Sequence, residues 1–179
     1  SGYSDNTFKP YNSISRIEFT KIVIGATFDS ATIDDCLSST NNATLFSDTS
    51  NSEWYAKYLC TAKKNGVIGG YSDGTFKPSN EIAFSESSKI LAVSFGLEFE
   101  SSSDPWYKTY VDALADQKAI PSTIDSFDQK LNRSEMAEIV YRLKNLDPNR
   151  TSETYDSINS AFPDFAIYDP STEDDGVWE

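Results

Sequence analysis

Residues 70–78 read Gly70-Tyr71-Ser72-Asp73-Gly74-Thr75-Phe76-Lys77-Pro78, and residues 2–10 read Gly2-Tyr3-Ser4-Asp5-Asn6-Thr7-Phe8-Lys9-Pro10. Eight of the nine positions are identical, and Asn6 against Gly74 is the one difference. Gly, Asn, Asp and Pro in this order dictate a tight turn and then an extended exit. Asn and Gly are the residue types that best tolerate a positive φ, so the difference keeps the backbone path. A turn copied this closely marks a repeat protein.

The likeness continues on both sides of the turn. Ile14-Ser15-Arg16-Ile17-Glu18 aligns with Ile82-Ala83-Phe84-Ser85-Glu86, and a third copy reads Leu131-Asn132-Arg133-Ser134-Glu135. Each opens an apolar helical pattern, with Phe19, Ile22, Val23 and Ala26 on one face, and Met136, Ile139, Val140 and Leu143 on another. A second element repeats as Trp54-Tyr55-Ala56-Lys57-Tyr58-Leu59 and Trp106-Tyr107-Lys108-Thr109-Tyr110-Val111. Gly66 follows the first of these where a helix C-cap belongs. Lys118 holds that place in the next copy, so that helix is expected to end differently. The unit is helix, glycine-rich turn, extended loop, second helix.

The chain therefore divides into the second half of a first repeat (1–28), an insertion rich in Ser, Thr and Asn (29–45), a second repeat (46–97), a third (98–146) and an acidic extension without helical periodicity (147–179). It opens where a first helix should already have finished, which reads as a truncated first repeat. The expected fold is mainly α: tandem helix–loop–helix repeats with long loops. Trp54, Tyr58, Trp106, Tyr110, Phe19, Ile22, Ile90, Leu91, Ile139 and Val140 are expected in its core.

Composition narrows the chemistry. Lys and Arg number 15 against 28 Asp and Glu, a formal charge of -13, which repels nucleic acid and anionic membranes at long range. No apolar run approaches the eighteen or so residues that a membrane span needs, and Ser1-Gly2-Tyr3 shows no signal peptide. With no histidine, the commonest general base and the commonest transition-metal ligand are missing. Two cysteines cannot build a four-thiolate zinc site. The turns at Asp5 and Asp73 lack the carboxylate spacing of a calcium loop. No catalytic residue, metal site or cofactor is expected, although 28 acidic residues leave a carboxylate-pair glycosidase on the page as a third reading.

Individual motifs carry alternatives. Ser15-x-x-Glu18 and Asn132-x-x-Glu135 are capping boxes. Arg16 and Arg133 oppose the helix dipole in a first helical turn, at a cost of a few tenths of a kcal/mol. Two uses answer that cost: a guanidinium fork beside helix N–H groups as a carboxylate receptor, or a salt bridge to a neighbouring repeat. Trp54, Tyr58, Trp106 and Tyr110 read as core at helical spacing, against a reading as sugar-stacking platforms. Cys36 and Cys60 read as a disulfide stapling the insertion to a helix in an oxidising setting, or as two unrelated thiols. Asn42-Ala43-Thr44 and Asn149-Arg150-Thr151 are glycosylation-like triplets.

Phe46-Ser47-Asp48, Trp54-Tyr55, and Gly66-Val67-Ile68-Gly69 running into the repeated turn together resemble the S-layer homology repeat. Ile14-Ser15-Arg16-Ile17-Glu18 and Leu131-Asn132-Arg133-Ser134-Glu135 resemble that family's Ile-Thr-Arg-Ala-Glu motif. The resemblance covers roughly residues 2–28 and 46–145. It implies three repeats in a pseudo-threefold helical bundle with ligand grooves between them. It further implies a non-catalytic, extracellular module that anchors a larger protein to secondary cell-wall polysaccharide, acidic and often pyruvylated, at the cell surface, cell wall or S-layer. Another surface-layer protein is a second implied partner. By the same resemblance the motif arginines Arg16 and Arg133 contact the acidic sugar, assisted by Asp104 before Trp106 and by Gly66 closing the first helix. Phe84 stands at the arginine position of repeat two, Ser52 at the aspartate position before Trp54, and Lys118 at the glycine position, so at most two grooves keep the family's means. A structural or protein-interaction array without glycan affinity is the competing reading.

Overall fold

The structure is a computed structural model in which residues 5–40, 44–101 and 103–161 are described. Among the described residues it is mainly helical and has no sheet. Its helices are α1 (Arg16–Thr27), α2 (Ser30–Ser39), α3 (Ala56–Lys64), α4 (Phe84–Ser94), α5 (Lys108–Asp116), α6 (Arg133–Lys144) and α7 (Tyr155–Ala161). None is long and apolar enough to cross a membrane.

The caps start the motif helices as the sequence predicts. Ser15 accepts from the amide of Glu18 (3.3 Å), and Glu18 returns to the amide of Ser15 (3.1 Å). Asn132 and Glu135 do the same at α6 (3.0 and 2.9 Å). At α4, Ala83 has no side-chain acceptor, and only the return bond from its amide to Glu86 remains (3.1 Å).

The residues before these caps hold the three motif copies together. The amide of Ile14 donates to the carbonyl of Leu131 (3.0 Å), that of Leu131 to Ile82 (3.0 Å), and that of Ile82 back to Ile14 (3.4 Å). These bonds close a ring of three extended segments, linked pairwise by isolated antiparallel bridges. All three side chains are fully buried at its centre. The first two amides of each motif helix form a second cycle, running round the three copies in the opposite sense. Arg16 and Ile17 donate to Asn80 and Pro78, Phe84 and Ser85 to Gln129 and Phe127, and Arg133 and Ser134 to Asn12 and Pro10, all at 2.7–3.1 Å. Each motif helix thus begins on the loop of another copy.

Around this ring α1 packs on α3 and α4 on α5. The turn has the backbone expected of it, with positive φ at both Asn6 (59°) and Gly74 (76°). Helices α3 and α5 end alike, contrary to expectation. Gly66 (φ 69°) donates to Lys63 and Val67 donates to Ala62, while Lys118 (φ 55°) donates to Ala115 and Ala119 donates to Leu114. Both are the paired hydrogen bonds of a Schellman cap. Lys118 adopts the left-handed conformation against its intrinsic preference of about 1–2 kcal/mol, held there by the burial of Ala119 and Ile120 just beyond.

The aromatic register also differs from expectation. Tyr55 and Tyr107 are buried, whereas Trp54 is 55% exposed and Tyr58, Trp106 and Tyr110 are half-buried. Trp54 and Trp106 precede the first helical residues Ala56 and Lys108, so a 3.6-residue period does not govern where they point. Phe19, Ile90, Leu91 and Ile139 lie in the core as expected, while Ile22 and Val140 are half-buried.

The insertion contains a helix that the sequence reading did not foresee. Asp29 caps α2 by accepting from Thr32 (2.9 Å), and Ile33 and Cys36 face inward. Cys36 and Cys60 form a disulfide with a Cα–Cα distance of 6.0 Å and a sequence separation of 24, fastening α2 to α3. A loop of that size contributes about 3 kcal/mol in the chain-entropy account. The acidic extension is likewise not featureless. Thr154 and Ser157 cap each other's amides (3.1 and 2.8 Å), and α7 inserts Tyr155 and Ile158 into the core. Tyr155 stacks on Phe127 with ring centroids 4.9 Å apart.

Two glycines separate conformational cost from steric cost. A Cβ on Gly66 meets nothing within 4 Å, so Gly66→Ala should cost about 1 kcal/mol through its positive φ alone. At Gly70 (φ +84°) the Cβ would lie 2.5 Å from the ring of Phe46 and 2.9 Å from the carbonyl of Thr75. Gly70→Ala should therefore cost about 2–4 kcal/mol, strain and overpacking combined. Urea denaturation of the two variants checks the order; equal losses would contradict it.

Candidate functional site

The ring places the first residue of each motif helix against the turn of another copy, and the candidate site lies in these seams. Arg16 opens α1 and reaches across to the second copy. Its Nη1 donates to Glu86 Oε1 at 2.9 Å, and the Tyr71 hydroxyl donates to the same oxygen at 2.8 Å. The other oxygen of Glu86 takes the Ala83 amide, so this carboxylate caps its own helix and holds the neighbour's arginine. The guanidinium carbon lies 4.9 Å from the Phe76 ring centroid and 5.1 Å from that of Tyr71. Lys77 Nζ lies 3.9 Å from the Tyr71 centroid and 3.7 Å from Asp73. Arg16 is 8% exposed, and its Nε is buried without a hydrogen-bond partner.

Arg133 repeats the placement against the first copy. Its Nε donates to the carbonyl of Phe8 at 2.8 Å, and its guanidinium lies 5.0 Å from the Phe8 ring centroid. It is 4% exposed. In the third seam Phe84 is fully buried, which leaves it no face on which to stack a ligand. The cap carboxylate there is satisfied by an amide instead: Gln129 Nε2 donates to Glu135 Oε1 at 2.8 Å and to the Thr123 carbonyl at 3.1 Å.

The expectation that helix N–H groups stand ready beside these arginines is corrected. The first two amides of α1 and α6 donate to loop carbonyls of another copy, and the third to the cap side chain. The helix amides are thus occupied, and the free donors in the seam are side-chain groups. Gly66 is exposed at the end of α3, and Asp104 is exposed ahead of α5. The hydrogen bond of Arg16 goes to Glu86 and that of Arg133 Nε to Phe8, rather than to either of these positions.

One residue with a clear part was missed by the sequence reading. The carboxylate of Asp48 accepts from the Phe76 amide (2.8 Å) and the Lys77 amide (2.7 Å), fixing the turn against which Arg16 packs. The signal was the acid in Phe46-Ser47-Asp48, beside a turn whose exit leaves amides without acceptors. Within the turns, Asp73 accepts from the Thr75 amide and hydroxyl (2.9 and 2.5 Å), and Asp5 from those of Thr7 (3.0 and 2.6 Å).

Comparison with known proteins places these residues in company. The S-layer homology domain matches residues 1–20 and 45–83, which hold both copies of the turn and the motif arginine Arg16. Cell surface glycoprotein 1 of Acetivibrio thermocellus is 34% identical over 106 residues, covering 50% of this chain and 4% of that protein. The cellulosome-anchoring protein of the same organism is 33% identical over 90 residues, covering 50% of this chain and 19% of that protein. The surface-layer 125 kDa protein of Lysinibacillus sphaericus is 29% identical over 120 residues, covering 62% of this chain and 9% of that protein. The chain thus spans less than a fifth of the length of each of these relatives.

The turn carboxylates give a pH test. The Thr75 hydroxyl, then its amide, hold Asp73 below the ordinary carboxylate value, and Thr7 does the same for Asp5. A folded pKa lowered below the unfolded one stabilises above the unfolded value, and the contribution is lost as pH falls through the folded one. Both carboxyl resonances should therefore titrate below pH 3.8 in a carbon-detected NMR titration. Thr75→Val should move Asp73 upward and leave Asp5 in place. An unmoved Asp73 would contradict the assignment.

Proposed function

We propose, from the premise that the chain carries S-layer homology sequence and is homologous to S-layer and other cell-surface proteins, that its motif arginines hold acidic secondary cell-wall polysaccharide. The protein is a non-catalytic cell-surface anchoring module. In this reading the repeats at 46–97 and 98–146 and the half repeat at 1–28 form a pseudo-threefold bundle, which the cyclic bonding of the three motif segments supports.

The observation that carries the reading is the state of Arg16. A guanidinium is placed in a seam with Nη1 committed to Glu86 and Nε buried without a partner. A sugar carboxylate entering the seam would offer Nε the acceptor it lacks, in the planar geometry that suits a carboxylate. Arg133 supplies a second guanidinium in a seam, with its Nε already bonded to the Phe8 carbonyl, and Asp104 and Gly66 are the assisting positions that the family resemblance suggests. A charge-assisted contact of this kind contributes about 1.5–3 kcal/mol.

One observation favours the competing reading of a structural array without glycan affinity. Arg16 already has a buried ion pair with another copy, a sufficient structural reason for its presence. Removing one member of a buried pair costs about 3–5 kcal/mol, so alanine variants would confuse folding with binding. Lysine keeps the charge and loses the fork. Arg16→Lys, Arg133→Lys and the double variant should fold, and each single change should weaken binding of purified wall polysaccharide roughly tenfold in calorimetry. Binding as tight as the parent's by a folded double variant would overturn the arginine reading. A parent that does not bind would leave the structural array.

A further inference from the structure

The aromatic residue most out of place is Trp54, 55% exposed beside a fully built helix pair. It does not stand alone. Lys21, on the face of α1 that meets α3, holds its ammonium 4.6 Å from the Trp54 ring centroid and 5.7 Å from that of Tyr58. Tyr55 and the indole meet edge-to-face at a 5.2 Å centroid distance and 84°.

The charge on Lys21 is the informative part. The neighbouring Lys57 also lies by Tyr58, at 5.4 Å, but is paired with Asp34 at 2.6 Å. Among the described residues Lys21 has no carboxylate within 4.0 Å, in a chain carrying 28 acidic residues. A cation held against an open indole without a counter-ion is complementary to a ligand that is flat, apolar on one face and negatively charged at an edge. A pyranose ring bearing a carboxylate has that form.

The repeat supplies a natural comparison. Lys89 stands on α4 where Lys21 stands on α1, the sixth residue of each helix, and Trp106 and Tyr110 stand where Trp54 and Tyr58 stand. There the aromatic surface is less open: Phe99 packs on Tyr110 at a 5.0 Å centroid distance, and Trp106 is half-buried where Trp54 is exposed. The same cluster thus presents an exposed indole in one copy and a half-buried one in the other.

We propose that Lys21, Trp54 and Tyr58 form a stacking subsite for one acidic sugar residue of the wall polysaccharide, separate from the contacts of Arg16. This rests on the glycan-binding reading above, and the experiment keeps the two apart. The probes are purified acidic wall polysaccharide and the same polysaccharide after carboxyl reduction. Trp54→Ala should weaken binding of the native polysaccharide roughly tenfold, as loss of an aromatic anchor does. Lys21→Met should weaken it several-fold at low salt, with the difference shrinking as salt rises. Carboxyl reduction should remove the advantage of the parent over Lys21→Met and leave its advantage over Trp54→Ala. The indole N–H resonance of Trp54 should shift on titration. Tyr141→Ala, which removes another exposed aromatic, should bind like the parent. If the parent binds while Trp54→Ala and Lys21→Met bind equally tightly and the Trp54 resonance stays still, the subsite is wrong and the arginine reading is untouched. If the arginine variants bind like the parent and the Trp54 and Lys21 variants do not, the subsite stands without them. If the parent does not bind, both fall.

Discussion

Three backbone hydrogen bonds, Ile14 to Leu131, Leu131 to Ile82 and Ile82 to Ile14, are the constraint on which the remaining architecture depends. Each pairs groups from distant parts of the sequence, and each is buried with its apolar side chain. An unpaired amide or carbonyl in that position would bear the cost of desolvation without compensation. The ring is therefore closed or costly, with little in between. Because the residue after each ring member is a helix cap, closing the ring also fixes where α1, α4 and α6 begin and which loop each begins upon. The seams follow from this, since the first side chain of every motif helix must then lie against another copy's turn.

That geometry explains an arginine at a position where the helix dipole disfavours it. Arg16 finds its carboxylate on another helix, in the residue that caps that helix. One glutamate thus serves local and long-range structure at once, and only the local use is visible within a single repeat. Where Phe84 replaces the arginine, Glu135 accepts from Gln129, and the seam is closed by apolar burial and an amide. Loss of the cation is accompanied by a neutral donor for the carboxylate it would have left unpaired. A bundle built this way can let one seam diverge and still close.

Much of this was legible in the sequence. The turn was, because Asn6 and Gly74 can take one backbone conformation and the rest of the nine residues are identical. The capping boxes at Ser15 and Asn132 were, because their bonds are local. So was the Cys36–Cys60 pair, from the need to hold a polar insertion. The register of the aromatic pairs was not. Periodicity placed Trp54 and Trp106 inward, but both precede the helices, and Tyr55 and Tyr107 take the core instead. Helix α7 was hidden by the acidity around it, although Thr154 and Ser157 carried a reciprocal cap. The left-handed Lys118 was hidden because only burial beyond it demands that conformation. For the candidate site, the arginines could be named from the motif, but their partners Glu86 and Phe8 depend on the ring, which no local pattern encodes.

Hydrogen exchange of three amides tests the ring most directly. In native-state exchange under increasing denaturant, the amides of Ile14, Ile82 and Leu131 should share one opening free energy, equal to that of global unfolding, because none of the three bonds survives alone. If any one exchanges through a smaller, independent opening while the other two stay protected, the repeats are separable units and the ring is not what holds them together.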